Sequence, residues 1–374
     1  TGKGAEYGIL VKGGEPLEMA DKIKAIIFDK TGTLTKGKPE VTDIVSFNSM
    51  EEDDVLRIVA SLEKQSEHPL ADAIYKEAQS TNIIMSEVSE FKAIPGKGVQ
   101  GLVENETYYF GNRKLIQDEV GLSIDKIDRK MNKLEEQGRT VMILSSKKEI
   151  LGIIGVADIV KETSREAISM LQRMRIATYM IAGDNGRTAK AIALQLGITN
   201  VFAEVLPEDK AKHVKELQEK GIRVAMVGDG INDAPALAQA DLGIAMGSGT
   251  DVAMEAGGIV IVKNDLRDVI HAITLSRETM SKIKQNMFFA LFYNVIGIPV
   301  AARVFYFAGL VLKPELAGLA MAFSSISVVV NSLLLKAYKP GKRNYLSIIA
   351  PFIMMLVFTA VFIGFAKFSS SSMK

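Results

Sequence analysis

Residues 26–40 read IIFDKTGTLTKGKPE. Ile26, Ile27 and Phe28 run directly into Asp29, Lys30, Thr31, Gly32 and Thr33, and two interpretations of that junction lead to different folds. From Gly32 the stretch spells Gly-x-x-x-x-Gly-Lys, ending at Gly37 and Lys38, which is close to a P-loop. Pro39 breaks that reading, because it replaces the Ser or Thr hydroxyl that would bind a metal ion. The other interpretation makes Asp29 a nucleophile at the tip of a buried strand.

The surrounding sequence favours the strand. Four short apolar runs end in a carboxylate or a glycine: KAIIFD (24–29), TYMIAGD (178–184), RVAMVGD (223–229) and DLGIAMG (241–247). None alternates in polarity, so each reads as a strand buried on both faces. Helical stretches at 186–196 and 208–220 separate the later runs, and Pro207 precedes the second while Gly221 follows it, as helix termini prefer. This pattern predicts an α/β fold with a doubly wound parallel sheet. Ligands gather at the carboxyl ends of such strands, where Asp29, Asp184 and Asp229 fall.

Residues 40–155 interrupt the alternation. They hold a helical pair within 51–80, broken at His68-Pro69, and extended runs at 99–111, 139–146 and 149–158. We read them as an α+β domain inserted into the α/β one.

The 374 residues allow two or three domains, and a net charge of +1 gives no general argument for nucleic acid as a partner. The absence of cysteine excludes disulfides and thiolate metal sites within the chain. The first residue is Thr1, without a signal peptide, so the sequence reads as part of something longer. Hydropathy divides the chain near residue 285. Runs at 287–309 (one charge, Arg303), 316–335 and 346–366 each approach the ~20 residues that cross a bilayer, which predicts membrane helices and a lipid bilayer as partner. Lys336, Lys339, Lys342 and Arg343 make the loop between the second and third runs cytoplasmic. Residues 1–285 are then cytoplasmic too, in a multi-pass protein of the cell membrane.

A carboxylate at a strand end, followed by a turn of Gly and Thr, suits attack on a phosphoryl group to give an acyl phosphate. Such a site must offset the charge of the transferring group. Asp229 and Asp233, in GDGIND, can hold Mg²⁺ beside Asp29 and the backbone carbonyl of Thr31. Lys210, in LPEDK, can pair with the phosphate, and N–H groups of the turn after Asp29 can bond its oxygens.

Together, DKTGTLT (29–35), GDN (183–185), LPEDK (206–210) and GDGINDAPAL (228–237) resemble the P-type ATPases, cation pumps of the haloacid-dehalogenase-like superfamily, over residues 1 to about 336. The resemblance implies that Asp29 is the phosphorylated aspartate and Lys210 the phosphate-binding lysine. It makes Asp229 and Asp233 the magnesium residues, and Thr31, Gly32, Gly183 and Asp184 the phosphate-handling hinge. It also implies a plan of linker and first phosphorylation segment (1–39), nucleotide-binding domain (40–155), second phosphorylation segment (156–285) and two membrane helices (286–336). A basic loop, an extra membrane helix and a tail (337–374) would follow.

SEHPLA (66–71) and GKGVQG (96–101) resemble the heavy-metal, type IB branch. By that likeness Glu67 and His68 contact adenine, and Gly96 and Gly98 line the ATP pocket, where side chains would block close approach. Tyr293-Asn294, Met321 and Ser324-Ser325 resemble the signature of copper(I) pumps, and a soft thioether suits copper(I) or silver(I) as cargo. The Lys and Asp of the zinc-type branch are missing. Ala182 departs from the family's Thr-Gly-Asp and removes a phosphoryl-binding hydroxyl. Gly258 stands where Asp is common, and the third apolar run lies beyond the family's usual end. Residues 1–18 resemble the stretch just after the metal-binding Cys-Pro-Cys helix, so that helix and the actuator domain are expected as upstream partners. The expected function is ATP-driven copper(I) transport through an aspartyl phosphate, this chain being the C-terminal part of the pump. A free-standing Mg²⁺-dependent phosphatase of the same superfamily and a catalytically silent membrane regulatory subunit are the alternatives.

Overall fold

Residues 2–66, 69–247, 251–304, 307, 314–342 and 344–371 are described by the computed structural model. The chain forms two units, residues 23–267 in one and residues 1–22 with 268–374 in the other.

The larger unit contains the doubly wound sheet. Its parallel strands pair in the spatial order Ile259–Ile261, Leu242–Met246, Val224–Gly228, Ala25–Asp29, Ala177–Ile181, Asn200–Phe202. The order reverses beside Ala25–Asp29, which places a crevice at that strand's carboxyl end. Every residue of Ala25–Asp29, Val224–Gly228 and Leu242–Met246 is buried. That is why the runs show no alternation: helices cover both faces. One covering layer joins Val214 and Leu217 to Ile27, Val224 and Met226. Each fully buried Ile or Leu of this kind contributes about 2 kcal/mol. Helix Gly186–Leu196 is capped by Asn185, whose Oδ1 accepts from Arg187 N at 3.0 Å and Thr188 N at 3.1 Å.

The second layer of this unit is a six-stranded antiparallel sheet, in the order Thr35–Ser46, Ile150–Val160, Thr140–Ser146, Glu106–Gly111, Gly98–Val103, Val88–Ile94. Its two long strands, Thr35–Ser46 at one edge and Ile150–Val160 beside it, leave and re-enter the α/β layer, so their pairing begins at Thr35 and ends at Val160. Helices Glu52–Glu63 and Pro69–Ser80 bury Val55, Val59, Leu62 and Ile74 against Phe110, Leu144 and Ile154. Helix Asp125–Glu135 buries Ile127, Met131 and Leu134 against Ile143 and Ile153. Neighbouring residues of one strand thus serve opposite cores. Helix Asp125–Glu135 was not among the elements expected from the sequence, although Ile127, Met131 and Leu134 recur at helical spacing.

In the other unit, helices Arg267–Ala301, Pro314–Leu333 and Tyr345–Ser371 hold residues 287–301, 316–333 and 346–366 of the three apolar runs, and 305, 306, 308 and 309 of the first lie outside the described residues. Among the described residues, no helix is long and apolar enough to cross a membrane. The first begins well before its apolar run and carries Arg277, Glu278, Lys282 and Lys284 along that lead-in. Lys282 is buried and ties the three helices together, donating to Asn331 Oδ1 at 2.9 Å and Ser347 O at 2.7 Å. Arg343 lies outside the described residues.

The two glycines of GKGVQG differ in what they require. Gly96 has φ 70°, and an added Cβ would meet nothing nearer than Leu206 Cδ2 at 3.6 Å. Gly98 has φ 149° and faces Gly111 across the hairpin, where a Cβ would lie 2.2 Å from Phe110 O. The bare backbone at 98 is therefore a demand of the sheet itself, before any ligand is considered. Gly98→Ala should cost about 3 kcal/mol or more, and Gly96→Ala about 1 kcal/mol for its left-handed backbone. Denaturant midpoints of the two variants check this, and equal losses would refute it.

Candidate functional site

Asp29 ends strand Ala25–Asp29, and Asp229 directly follows the neighbouring parallel strand Val224–Gly228. Asp233 closes the short turn Ile231–Asp233, which opens helix Ala234–Gln239. Lys210 is the first residue of helix Lys210–Glu219, after the turn Pro207–Asp209. These four elements converge on the crevice. Lys210 Nζ lies 2.7 Å from Asp29 Oδ1 and 2.7 Å from Asp233 Oδ1. Asp233 Oδ2 accepts from the N–H groups of Gly230 at 3.1 Å and Asp229 at 3.3 Å. One carboxylate oxygen from each of Asp29, Asp229 and Asp233 falls within 4.8 Å of the others.

Three carboxylates in so small a space repel one another. Burial, then the charge of Asp233, push Asp29 up to about 7 against the pull of Lys210. Burial and Asp233 likewise raise Asp229 to about 6. Burial alone would lower Lys210, but Asp29 and Asp233 raise it above the ordinary lysine value. Lys210 within the cluster and Lys161 beside Asp229 still leave an excess of negative charge, and the donors are hard oxygens. That combination fits a small divalent cation such as Mg²⁺.

The turn after Asp29 is fixed from several sides. Thr31 is extended and Gly32 takes φ 75°. An added Cβ on Gly32 would lie 1.9 Å from Asp229 Oδ2, so the two chains meet here only because residue 32 has no side chain. The one hydrogen of the Thr35 hydroxyl has two acceptors in reach, Asp158 Oδ2 at 2.5 Å and Lys30 O at 2.9 Å, and Asp158 Oδ1 accepts from Gly37 N at 3.1 Å. Ser164 Oγ donates to Leu34 O at 2.7 Å. Lys161 Nζ donates to Gly32 O at 2.5 Å.

Asp184 accepts from Lys30 Nζ at 2.5 Å and from Thr140 Oγ1, of the antiparallel sheet, at 2.5 Å. Burial would raise its pKa, but the Lys30 ammonium wins and holds it below the usual carboxylate range. Beside it, the fully buried Glu135 accepts from Arg113, from Asn185 Nδ2 at 3.1 Å and from Arg187 at 3.5 Å.

The structure thus brings together Asp29, Gly32, Lys210, Asp229 and Asp233, with Thr31 in the same turn and Asp184 joined through Lys30. Gly183 is exposed and Ala182 is 2% exposed. Gly96 and Gly98 lie in the antiparallel layer, while Glu67 and His68 lie outside the described residues. Asn294, Met321 and Ser325 are exposed, and Asn294 Nδ2 donates to Ala290 O of its own helix at 3.0 Å. Among the described residues no hydrogen bond joins these three, and the Tyr293 side chain lies outside them. Sequence reasoning missed Lys30, Thr140, Asp158 and Lys161. Asp158 and Lys161 flank the end of the run at 149–158, where a charge beside a strand looks like an ordinary solvated one.

The sequence model of a family described as haloacid dehalogenase-like hydrolase matches residues 23–241. A probable copper-exporting P-type ATPase of Archaeoglobus fulgidus is 53% identical over 345 residues, 92% of this chain and 42% of the relative. A probable copper-transporting ATPase PacS of Synechococcus elongatus is 49% identical over 342 residues, 91% of this chain and 46% of the relative. The chain therefore spans less than half the length of these relatives. Among solved structures, a zinc-transporting PIB-type ATPase in its E2·Pi state is similar with TM-score 0.66 and 37% identity, covering 89% of this chain and 53% of that one. The catalytic CPx-ATPase domain CopB-B is similar with TM-score 0.56 and 28% identity, covering 73% of this chain and 96% of that domain.

The raised carboxylates give a pH dependence with a definite sign. An ordinary Asp titrates near ~3.9, so a folded value of about 7 for Asp29 contributes stability below pH ~4 that is lost as pH rises toward 7. Without a divalent cation, wild type should lose more melting temperature than Asp29→Asn between pH 5 and pH 7.5. Mg²⁺ should raise the wild-type melting temperature more at pH 7.5 than at pH 5. Parallel melting curves for the two proteins at all four conditions would refute the assignment.

Proposed function

This chain belongs to the haloacid dehalogenase-like hydrolase family, and from that premise we propose that it is the catalytic portion of a P-type ATPase that moves copper(I) across a membrane. The observation that carries the proposal is the single cluster of Asp29, Lys210, Asp229 and Asp233 at the switch point of the parallel sheet. In this reading an Asp29 oxygen attacks the γ-phosphorus of ATP. The new bond is an acyl phosphate, the bond from phosphorus to the β–γ bridging oxygen breaks, and ADP leaves. Lys210 offsets charge on the transferring group and pulls the Asp29 pKa back down against its burial. N–H groups of the Lys30–Leu34 turn bond the phosphoryl oxygens. Asp29, Asp229, Asp233 and the Thr31 carbonyl would hold Mg²⁺, which supplies further charge neutralisation when bound.

Residues 40–155 serve as the nucleotide-binding domain, with Glu67, His68, Gly96 and Gly98 at the ATP pocket. The Thr140–Asp184 hydrogen bond supports this, since it carries a strand of the insert to a carboxylate joined, through Lys30, to the residue beside the nucleophile. Gly183 and Asp184 form the hinge at that junction. Helices in residues 286–336 and 345–371 anchor the protein in the cell membrane, with residues 1–285 cytoplasmic and an upstream actuator domain and Cys-Pro-Cys helix as partners. Tyr293, Asn294, Met321 and Ser325 contribute soft or polar ligands to the cargo path. The printed names of the relatives support copper, and the zinc-transporting structure supports the same branch of pumps. Ala182 favours one second reading, a silent regulatory subunit, because no hydroxyl stands before Gly183.

Incubation with γ-labelled ATP and Mg²⁺, followed by acid precipitation, separates these readings. Wild type should retain acid-stable label and Asp29→Asn none. Equal label on both would place the nucleophile elsewhere, and none on either would favour the silent subunit. For the cargo, Met321 is 72% exposed, so Met321→Leu should leave folding intact. In the full-length parent it should lower copper(I) stimulation of ATP hydrolysis about tenfold through loss of the soft ligand. Stimulation by zinc that ignores Met321→Leu would overturn the copper reading.

A further inference from the structure

One cation at the turn after Asp29 has no task in the chemistry above. Lys161 is 8% exposed, and its Nζ donates to Gly32 O at 2.5 Å and to Asn264 Oδ1 at 2.7 Å. Both acceptors are neutral. Burial lowers this ammonium to about 8, although Asp229, Asp158 and Asp265 pull the other way. A buried charge held by neutral oxygens is costly, and a mere fastener between a carbonyl and an amide would be better made from a neutral donor. The charge itself therefore needs a reason.

The geometry of one peptide supplies it. Gly32 carries the carbonyl that Lys161 binds, and the peptide to Thr33 is trans. In a trans peptide the C=O and N–H point to opposite sides, so an ammonium on the carbonyl leaves the Thr33 N–H facing away from Lys161. Hydrogen bonding at one end of a peptide polarises the other and strengthens it as a donor. The position of that peptide is set closely: Gly32 has φ 75° and no room for a side chain against Asp229. The backbone of Lys161 is held separately, its N–H donating to Leu34 O at 3.0 Å beside the Ser164 hydroxyl. Changing the Lys161 side chain thus leaves the path of the turn anchored.

We propose that Lys161 is a positioning residue for phosphoryl transfer to Asp29, fixing and polarising the Gly32–Thr33 peptide through its carbonyl, with Asn264 as the second anchor of the same ammonium. The proposal rests on the aspartyl-phosphate reading. Lys161 touches no reacting atom; it acts through the turn whose N–H groups meet the phosphoryl oxygens. Asn264, exposed in the segment just ahead of helix Arg267–Ala301, offers the ammonium an acceptor from outside the strand that carries the turn.

The test uses the full 374-residue chain, Mg²⁺ and labelled ATP. Initial rates of acid-stable labelling are measured across ATP concentrations, with melting temperatures, for wild type, Lys161→Met, Lys161→Arg, Asn264→Ala and Asp29→Asn. Lys161→Met should lower the maximal rate about 10- to 100-fold while half-saturating ATP stays within about twofold, as expected of an oriented group that is lost. Lys161→Arg should recover part of the rate, and Asn264→Ala should lose about threefold. A labelled wild type with unchanged Lys161→Met overturns this inference alone. Slower labelling of Lys161→Met with weaker ATP binding, a lower melting temperature and no recovery in Lys161→Arg makes the residue structural, and overturns it too. A wild type without label removes the aspartyl-phosphate reading and this inference with it.

Discussion

Lys210 sets one ammonium 2.7 Å from the carboxylates of both Asp29 and Asp233, and the local architecture follows from keeping that contact. Removing the cation from such a buried pair costs about 3–5 kcal/mol, because a carboxylate is left without compensation. The contact requires residues far apart in sequence to arrive within a few ångströms. A parallel sheet does this by construction: its strands all end on one side, and Asp29 and Asp229 leave neighbouring strands one residue apart in register. Helix Lys210–Glu219 then needs only to begin at the crevice, so that its first residue reaches in.

Crowding of this kind is possible only where the chain gives up side chains. Gly32 lies against Asp229, and an added Cβ on Gly228 would lie 2.7 Å from Asp233 Cβ. Both glycines sit beside a carboxylate of the cluster, and both make room for it. The cost is a backbone with too much freedom at the point where geometry matters most. Thr35, Asp158, Lys161 and Ser164 supply the restraint that the glycines lack. Asp158, Lys161 and Ser164 all lie where the antiparallel layer returns to the α/β layer. The insert's last strand is therefore also the frame of the turn after Asp29.

This division explains what could be read from the sequence and what could not. The strands at 25–29, 224–228 and 242–246 were legible because burial on both faces leaves unbroken apolar runs. Asp229 and Asp233 were legible because a pair of acids within a glycine-rich turn has few other uses. Lys161 and Asp158 were not, since a charge beside a strand end carries no mark of the partner it meets in space. Gly98 is expected from the sequence at a ligand pocket, and the structure adds a demand of its own: its Cβ position is filled by Phe110 O of the neighbouring strand, a long-range clash that no local pattern encodes. Met321 and Asn294 could be picked out as unusual residues in apolar runs, yet both are exposed, and among the described residues no hydrogen bond joins them.

Asp184 links the two layers of the larger unit. It accepts from Lys30, which follows the nucleophile in sequence, and from Thr140, which belongs to the insert. Glu135 makes a second bridge from the insert, meeting Asn185, the residue that caps the helix after Asp184. The carboxylate that holds Lys30 beside the turn is thus also held by the insert, so the placement of the residue next to Asp29 and the seating of the antiparallel layer rest on one side chain. Ala182 brings no hydroxyl to that junction.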